Sequence, residues 1–109
     1  MAKAFDKTSL DNESFFDYIY NMKYRVSVKK NCIKAIEKLS KKDKETLAHL
    51  ISDLEKSGPV QPGYRNYSKL GNDTYHCHLS YHWVACWHCR NNEFFVEVYY
   101  VGSRESAPY

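Results

Sequence analysis

The feature that most restricts the fold of this chain is a change in the period of its apolar residues. Within residues 32–39 and again within 47–54, apolar side chains recur at spacings of three and four, the period of amphipathic helices. Ser40 to Asp43 reads S-x-x-D, a start signal for the second helix, and Gly58 stands where that helix should end. Because few residues separate the two stripes, we expect an αα-hairpin that turns both stripes toward one sheet.

The segments around these helices alternate between apolar and polar residues, which is the period of half-buried strands. Residues 22–28, MKYRVSV, alternate in this way before the first helix. After a loop that contains proline and glycine, four short strands are predicted at 66–70, 74–79, 83–89 and 94–101. The order β-α-α-β-β-β-β predicts an α+β fold, with the αα-hairpin packed on a twisted, mainly antiparallel sheet.

The composition is typical of one packed domain. The chain has 109 residues, of which 43% are hydrophobic and 16% are aromatic, enough for one modest core. It lacks an apolar run of about 20 residues that could cross a bilayer, and its first residues lack the apolar stretch of a secretory signal. We therefore expect a cytoplasmic protein with no membrane partner, in which the cysteines stay reduced.

The first 21 residues differ in character from the rest. They show no clean period, although Leu10, Phe15 and Ile19 could line a short helix, and they carry two lysines against four acidic residues. The whole chain has a net charge of +3, so residues 22–109 carry the basic excess. We expect an N-terminal extension over 1–21, which could form a helical appendage, and a separate domain over 22–109. A basic domain behind an acidic leader fits nucleic-acid contact, although solvated helix faces would explain the charge equally well.

Four of the five histidines and three of the four cysteines lie between Tyr75 and Cys89. Alternation along the strand places Tyr75 and Cys77 on the helix side, and His76 and His78 on the open face about 6–7 Å apart. That spacing suits a shared metal ion or a shared phosphate. Zinc would need a third and usually a fourth ligand, and the pattern fixes neither in place, so we predict no metal and no cofactor.

The other residues of this stretch have simpler interpretations. Cys77 and Cys86 are expected to be small buried residues, whereas Cys89, at a strand end, should be more exposed and could serve as a thiol. Parity does not decide whether Trp83 and Trp87 face the core, because both faces of their strand carry apolar side chains.

The closing sequence VGSRESAPY places Arg104 just after the last strand and Tyr109 at the end. An arginine beside a strand end suits bidentate contact with a phosphate. A solvated arginine on a polar tail is the simpler alternative, and the pattern alone does not exclude it.

Three segments carry a further signal: YSKLGNDTYHCHL, the strand VACW, and the closing FFVEVYYVGSRESAPY. With the order of strand, αα-hairpin and four strands, they make residues 22–109 resemble the RelE/ParE superfamily of bacterial toxins from toxin–antitoxin systems. The resemblance implies helices on one face of the sheet and an open face on the other. In the RelE-like branch, that face enters the ribosomal decoding site and cleaves mRNA without a metal. The ribose 2′-OH attacks the adjacent phosphate, which leaves a cyclic phosphate and a free 5′-OH.

The resemblance also implies roles for individual residues. Arg104 matches the family's arginine after the last strand, which would stabilise the phosphorane, and Tyr109 matches a C-terminal tyrosine. Tyr109 would act as base or acid only if nearby cations lowered its pKa from about 10. His76 and His78 stand where a well-studied member has two lysines. Since imidazole exchanges protons near neutral pH, we predict His78 as general base or acid and His76 as a phosphate ligand or its partner.

Arg65, Lys69 and Trp83 form the predicted RNA-binding set, the first two through the RNA backbone. Trp83 stands where some ribonuclease members have an arginine, and a tryptophan there could stack on a base or mark a weaker catalyst. The ParE-like branch keeps the fold but inhibits DNA gyrase, and the histidine pair with Tyr109 favours the ribonuclease. A non-enzymatic RNA- or partner-binding domain is a third alternative. The implied partners are a cognate antitoxin, mRNA and the ribosome.

Overall fold

The computed structural model describes residues 23–90 and 93–109. In these ranges the strands are β1 (Arg25–Val28), β2 (Ser68–Lys69), β3 (Thr74–His78), β4 (Trp83–His88) and β5 (Phe95–Ser103). Helices α1 (Ile33–Glu37) and α2 (Lys41–Ser57) lie between β1 and β2, and 3₁₀ turns at Lys30–Cys32 and Arg104–Ser106 precede α1 and follow β5. This is the predicted order of elements. The predicted extension over 1–21 and its boundary at residue 22 lie outside the described residues.

The five strands form one mixed sheet in the order β1-β5-β4-β3-β2. The strands β2, β3, β4 and β5 pair antiparallel, whereas β1 pairs parallel with β5, with Val26 opposite Val96. The chain therefore leaves β1, crosses over through both helices, and returns through an antiparallel meander that ends at β5, between β1 and β4. The predicted α+β class and mainly antiparallel sheet are confirmed.

The two helices differ in length. α2 has 17 residues and begins at the predicted cap, where the Ser40 hydroxyl accepts a hydrogen bond from the Asp43 N–H at 3.1 Å. It ends at Gly58, whose φ of 91° lies in the region that favours glycine. α1 has only five residues, fewer than its apolar stripe predicted, because the 3₁₀ turn takes up the first of them. Within the described ranges, neither helix is long and apolar enough to span a membrane.

The core lies between α2 and the helix-facing side of the sheet. Leu50 and Leu54 of α2 are fully buried there, and so is Trp87 of β4, which settles the side on which Trp87 lies. The Trp87 ring stacks on Tyr75 of β3 with centroids 6.2 Å apart, and its indole N–H donates to the Pro59 carbonyl at 3.0 Å. That hydrogen bond ties the loop after α2 to the centre of the sheet.

Further contacts fix the rest of this loop. The Gln61 side-chain amide donates to the Gly58 carbonyl at 2.9 Å, and the Tyr64 hydroxyl donates to Asp53 Oδ2 at 2.6 Å. The loop then runs beside β3, where the His78 N–H donates to the Arg65 carbonyl at 2.8 Å. These bonds bring Arg65 to the edge of the sheet face that lies away from the helices.

Candidate active site

The side of the sheet that faces away from α1 and α2 carries the histidine pair. Tyr75 and Cys77 lie in the core, so alternation turns His76 and His78 to the other side, as predicted. The antiparallel registers place further side chains beside them on β2, β4 and β5. We call this surface the histidine face; its central side chains are Ser68, His76, His78, Val84, Cys86 and Tyr100.

The histidine face is less open than expected. The two histidine rings lie 5.6 Å apart, yet His76 is only 7% exposed and His78 only 9%. The ring of Tyr109 folds back against His76, with centroids 4.4 Å apart. The expectation of two solvent-open histidines was therefore wrong, because the chain after β5 covers this part of the sheet.

His76 is held in place by a neighbouring strand. Ser68 Oγ of β2 and His76 Nδ1 are hydrogen-bonded at 3.0 Å, and this bond does not involve the second ring nitrogen, Nε2. Burial lowers the pKa of His76, and the nearby His78 lowers it further, while the hydrogen bond to the Ser68 backbone acts in the opposite direction. The ring is therefore neutral near pH 7 and keeps a lone pair for proton transfer.

His78 lies among positive charges. Burial lowers its pKa first, and the guanidinium groups of Arg104 and Arg65 then lower it further by repelling the imidazolium form. Two cations beside a neutral imidazole can hold an anion such as a phosphate while the imidazole accepts a proton.

The tail after β5 brings Tyr109 to this face through a short turn. The Ser106 N–H donates to the Ser103 hydroxyl at 3.3 Å, which closes the 3₁₀ turn that begins at Arg104. Burial raises the pKa of Tyr109, as do Cys86 and Tyr100, although Arg104 lowers it. The pKa moves up rather than down, so the phenol stays protonated near neutral pH and can donate a hydrogen bond or a proton. A role as general base, which the resemblance left open, is not favoured.

Arg104 is anchored by its backbone and partly free at its guanidinium. Its N–H donates to the His82 carbonyl at 2.8 Å, and its guanidinium lies over the ring of Tyr81, 4.8 Å from the centroid. Glu105 lies 3.8 Å from Nε in an exposed ion pair. The guanidinium therefore stands at the rim of the histidine face with hydrogen-bond donors available to a ligand.

The structure does not bring every predicted RNA-binding residue to this surface. Lys69 pairs with Tyr75, so it projects toward the helix side, and its Nζ lies 5.8 Å from the Tyr75 ring centroid. Trp83 is half-buried against the core together with Ala85 and Trp87, on the same helix side. Arg65 lies beside the histidines, whereas Lys69 and Trp83 do not.

The metal interpretation finds no support in the side-chain positions. Cys86 and Cys89 are three residues apart, but along a strand that spacing turns them to opposite faces. His78 and His82, four apart, lie on β3 and in the turn that follows it. Across 23–90 and 93–109, no three His, Cys, Asp or Glu side chains are grouped so that they could hold a metal ion.

The cysteines do not supply a reactive thiol. All four are free and buried, and this corrects the expectation that Cys89 is exposed. Burial raises the pKa of Cys77 and of Cys86 to about 12, so both thiols stay protonated.

Sequence reasoning missed three residues of this site: Ser68, Tyr81 and Tyr100. A strict period of two along β5 would put Tyr100 on the core side with Val96 and Val98. The register between β4 and β5 shifts between Cys86 and Trp87, and this bulge turns Tyr100 to the histidine face instead. Its ring lies over Gly102, where an added Cβ would come within 2.7 Å of the Tyr100 hydroxyl.

Comparison with known proteins identifies the fold. No protein-family model and no curated protein sequence matches the chain. Among solved structures, the archaeal RelE–RelB complex from Pyrococcus horikoshii matches with a TM-score of 0.63 and 18% identity, covering 79% of this chain and 100% of that one. The E. coli DinJ–YafQ toxin–antitoxin complex matches with a TM-score of 0.64 and 13% identity, covering 81% and 100%.

A third similar structure is an E. coli RelE toxin with two arginines replaced by alanine, in complex with an antitoxin RelBc peptide. It matches with a TM-score of 0.62 and 20% identity, covering 78% of this chain and 87% of that one. At these identities the likeness shows the fold: the chain has a RelE-like toxin fold.

Proposed function

We propose that this chain is the toxin of a type II toxin–antitoxin system and acts as a ribosome-dependent mRNA endoribonuclease that inhibits translation. The observation that carries the proposal is the convergence of His76, His78, Arg104 and Tyr109 on one face of a RelE-like fold. Together they provide a proton acceptor, a cation and a proton donor. Those are the groups that metal-independent cleavage of RNA requires.

His78 is our candidate for the general base. Cleavage begins when the ribose 2′-OH loses its proton and its oxygen attacks the adjacent phosphorus, forming the 2′-O–P bond. His78 suits proton acceptance because burial and two guanidinium groups keep its ring neutral. The same guanidinium groups would oppose a positive charge on the ring, so the proton has to move on to solvent or to the leaving group.

Arg104 is our candidate for stabilising the phosphorane. Attack adds negative charge to the phosphate oxygens, and this guanidinium lies close enough to His78 to lower its pKa. Arg65 adds a second positive charge near His78. Preorganised cations of this kind lower the barrier because they stabilise charge that develops only in the transition state.

The leaving 5′-oxygen needs a proton when its bond to phosphorus breaks. Tyr109 retains its proton near neutral pH and packs against His76, so its phenol is our candidate for the proton donor. Ser68 fixes the orientation of the His76 ring, which makes it a positioning residue in this scheme. The products would carry a 2′,3′-cyclic phosphate and a free 5′-OH.

The partners of the proposed toxin are a cognate antitoxin, mRNA and the ribosome, all in the cytoplasm. Two of the similar structures are complexes with RelB or DinJ, and a third contains an antitoxin peptide. These complexes support the proposal of an antitoxin that binds this chain. The net charge of +3 agrees with an RNA-binding surface.

The test is cleavage of a short mRNA by the purified chain, with and without ribosomes, followed by analysis of the product ends. We expect ribosome-bound mRNA to be cut to a cyclic phosphate and a 5′-OH. Arg104→Ala should lower the single-turnover rate about 10²–10³-fold. Tyr109→Phe should also lower it, because the leaving oxygen then loses its proton donor. Intact mRNA together with gyrase-linked DNA breaks would instead place the chain with the ParE-like toxins.

A further inference from the structure

The most exposed aromatic ring beside the candidate site is that of Tyr81. Its side chain lies in the turn between β3 and β4 and is 60% exposed. One part of the ring packs on the guanidinium of Arg104, whose Cζ lies 4.8 Å from the centroid. The tryptophan for which the sequence predicted a stacking role, Trp83, lies two residues further on and packs against the core instead.

The turn that carries this ring is held by four hydrogen bonds. Leu79 N–H and Ser80 N–H both donate to the Trp83 carbonyl, at 2.8 and 3.2 Å. The Ser80 hydroxyl donates to Oδ2 of Asp43, a buried residue in the first turn of α2, at 3.2 Å. On the other side of the turn, the backbone N–H of Arg104 donates to the His82 carbonyl at 2.8 Å. An exposed aromatic ring on a fixed turn loses little conformational freedom when a ligand packs on it.

We propose that Tyr81 is a stacking site for a nucleobase of the bound RNA, next to the phosphate that Arg104 contacts. The inference rests on the proposed function for the identity of the ligand. A planar guanidinium already occupies part of the ring, and the exposed remainder can take the base of the adjoining nucleotide. Every base has a π-face, so the site accepts all four bases and contributes affinity rather than sequence preference. Tyr81 therefore has the stacking role that the sequence suggested for Trp83.

A cycle that removes the ring and the base in turn tests this contact. One arm compares wild type with Tyr81→Leu in single-turnover cleavage of ribosome-bound mRNA that is either intact or abasic at a nucleotide flanking the cleaved bond. A second arm measures the affinity of each variant for fluorescein-labelled 2′-O-methyl RNA, intact or abasic, by anisotropy. This RNA lacks the attacking hydroxyl, so the second arm needs no cleavage.

With intact RNA, we expect Tyr81→Leu to lower both the cleavage rate and the binding affinity by roughly five- to 150-fold, the range of base–aromatic stacking. On RNA that is abasic at the contacted nucleotide, the two proteins should differ by less than about twofold. Tyr81→Phe keeps the ring and should behave as wild type. Phe94→Leu is the matched control, because it removes a 65% exposed ring at the opposite end of β5 and should change neither measurement.

Two results would overturn the stacking inference. If Tyr81→Leu weakens the binding of intact and abasic RNA equally, the ring only positions Arg104. If it weakens the binding of neither RNA, the ring has no part in binding. A wild-type protein that binds RNA with the expected dependence on ring and base but cleaves nothing would contradict the proposed nuclease and leave the stacking site standing.

Discussion

The hydrogen bond between Ser68 and His76 is the contact whose removal has the most direct structural consequence at the histidine face. Ser68→Ala deletes the hydroxyl that lies 3.0 Å from Nδ1 of a ring that is only 7% exposed. A buried polar group that loses its partner costs about 1–3 kcal/mol. Ser68 is half-buried on β2, which forms an edge of the sheet, so water reaches the vacated position from one side. We therefore expect a loss near the lower end, about 1–1.5 kcal/mol.

The assay is thermal unfolding followed by calorimetry and by the fluorescence of the two tryptophans, Trp83 and Trp87. For a domain of this size, about 1 kcal/mol corresponds to a shift of roughly 4–8 °C in Tm, so Ser68→Ala should melt at least about 4 °C below wild type. Ser68→Thr retains the hydroxyl and suits a strand, and it should restore most of the loss.

Thr46→Val is the control for loss of a hydroxyl. It removes an exposed bond from Thr46 Oγ1 to the Lys42 carbonyl on α2, where solvent replaces the partner, and should change stability by less than about 0.5 kcal/mol. If Ser68→Ala melts within about 1 °C of wild type while its cleavage rate is unchanged, the bond neither stabilises the face nor orients His76, and the positioning role is wrong.

Four further predictions concern the histidines and the ends of α2. The pKa values of His76 and His78 are lower in the folded chain than in the unfolded one, so the unfolded chain binds more protons. The free energy of unfolding should therefore fall as the pH drops below about 6.5 and through the folded pKa values. Urea titrations should show a shallower pH dependence in a His76→Gln/His78→Gln variant than in wild type. Because His78 must be neutral to act as base, the acid limb of kcat/KM should also have its midpoint below pH 6.5, and a midpoint above that value would contradict the role. Gly58→Ala forces a side chain onto a φ of 91° with its Cβ 2.5 Å from the Tyr24 ring, and should destabilise the fold by more than about 1 kcal/mol in urea unfolding. Ser40→Ala removes the cap of α2 and should cost about 1 kcal/mol in the same assay, whereas an unchanged midpoint would show that the cap is unimportant.

Much of the fold follows from local pattern. The change of period separates helices from strands, Ser40 and Gly58 mark the ends of α2, and alternation along β3 turns His76 and His78 to the face away from the helices. These features depend on residues that are neighbours in sequence, which explains why the sequence predicts them.

Other features of the site depend on contacts between distant residues. Tyr109 covers His76 because the 3₁₀ turn at Arg104–Ser106 returns the tail to the sheet. The side of Trp83 was ambiguous because both faces of β4 are buried, one by the helices and the other under the returning tail. The bulge that moves Tyr100 has no signature in the apolar pattern.

The proposed mechanism requires His78 to transfer a proton during RNA cleavage, and the decisive measurement is the single-turnover rate at which His78→Ala cleaves ribosome-bound mRNA. His49→Ala is the matched control, because it removes an exposed histidine from α2. We expect His78→Ala to lower the rate by about 10²–10⁴-fold, the usual contribution of a general base, and His49→Ala to leave it unchanged. Equal rates for His78→Ala and wild type, with both proteins folded, would show that His78 is not the general base.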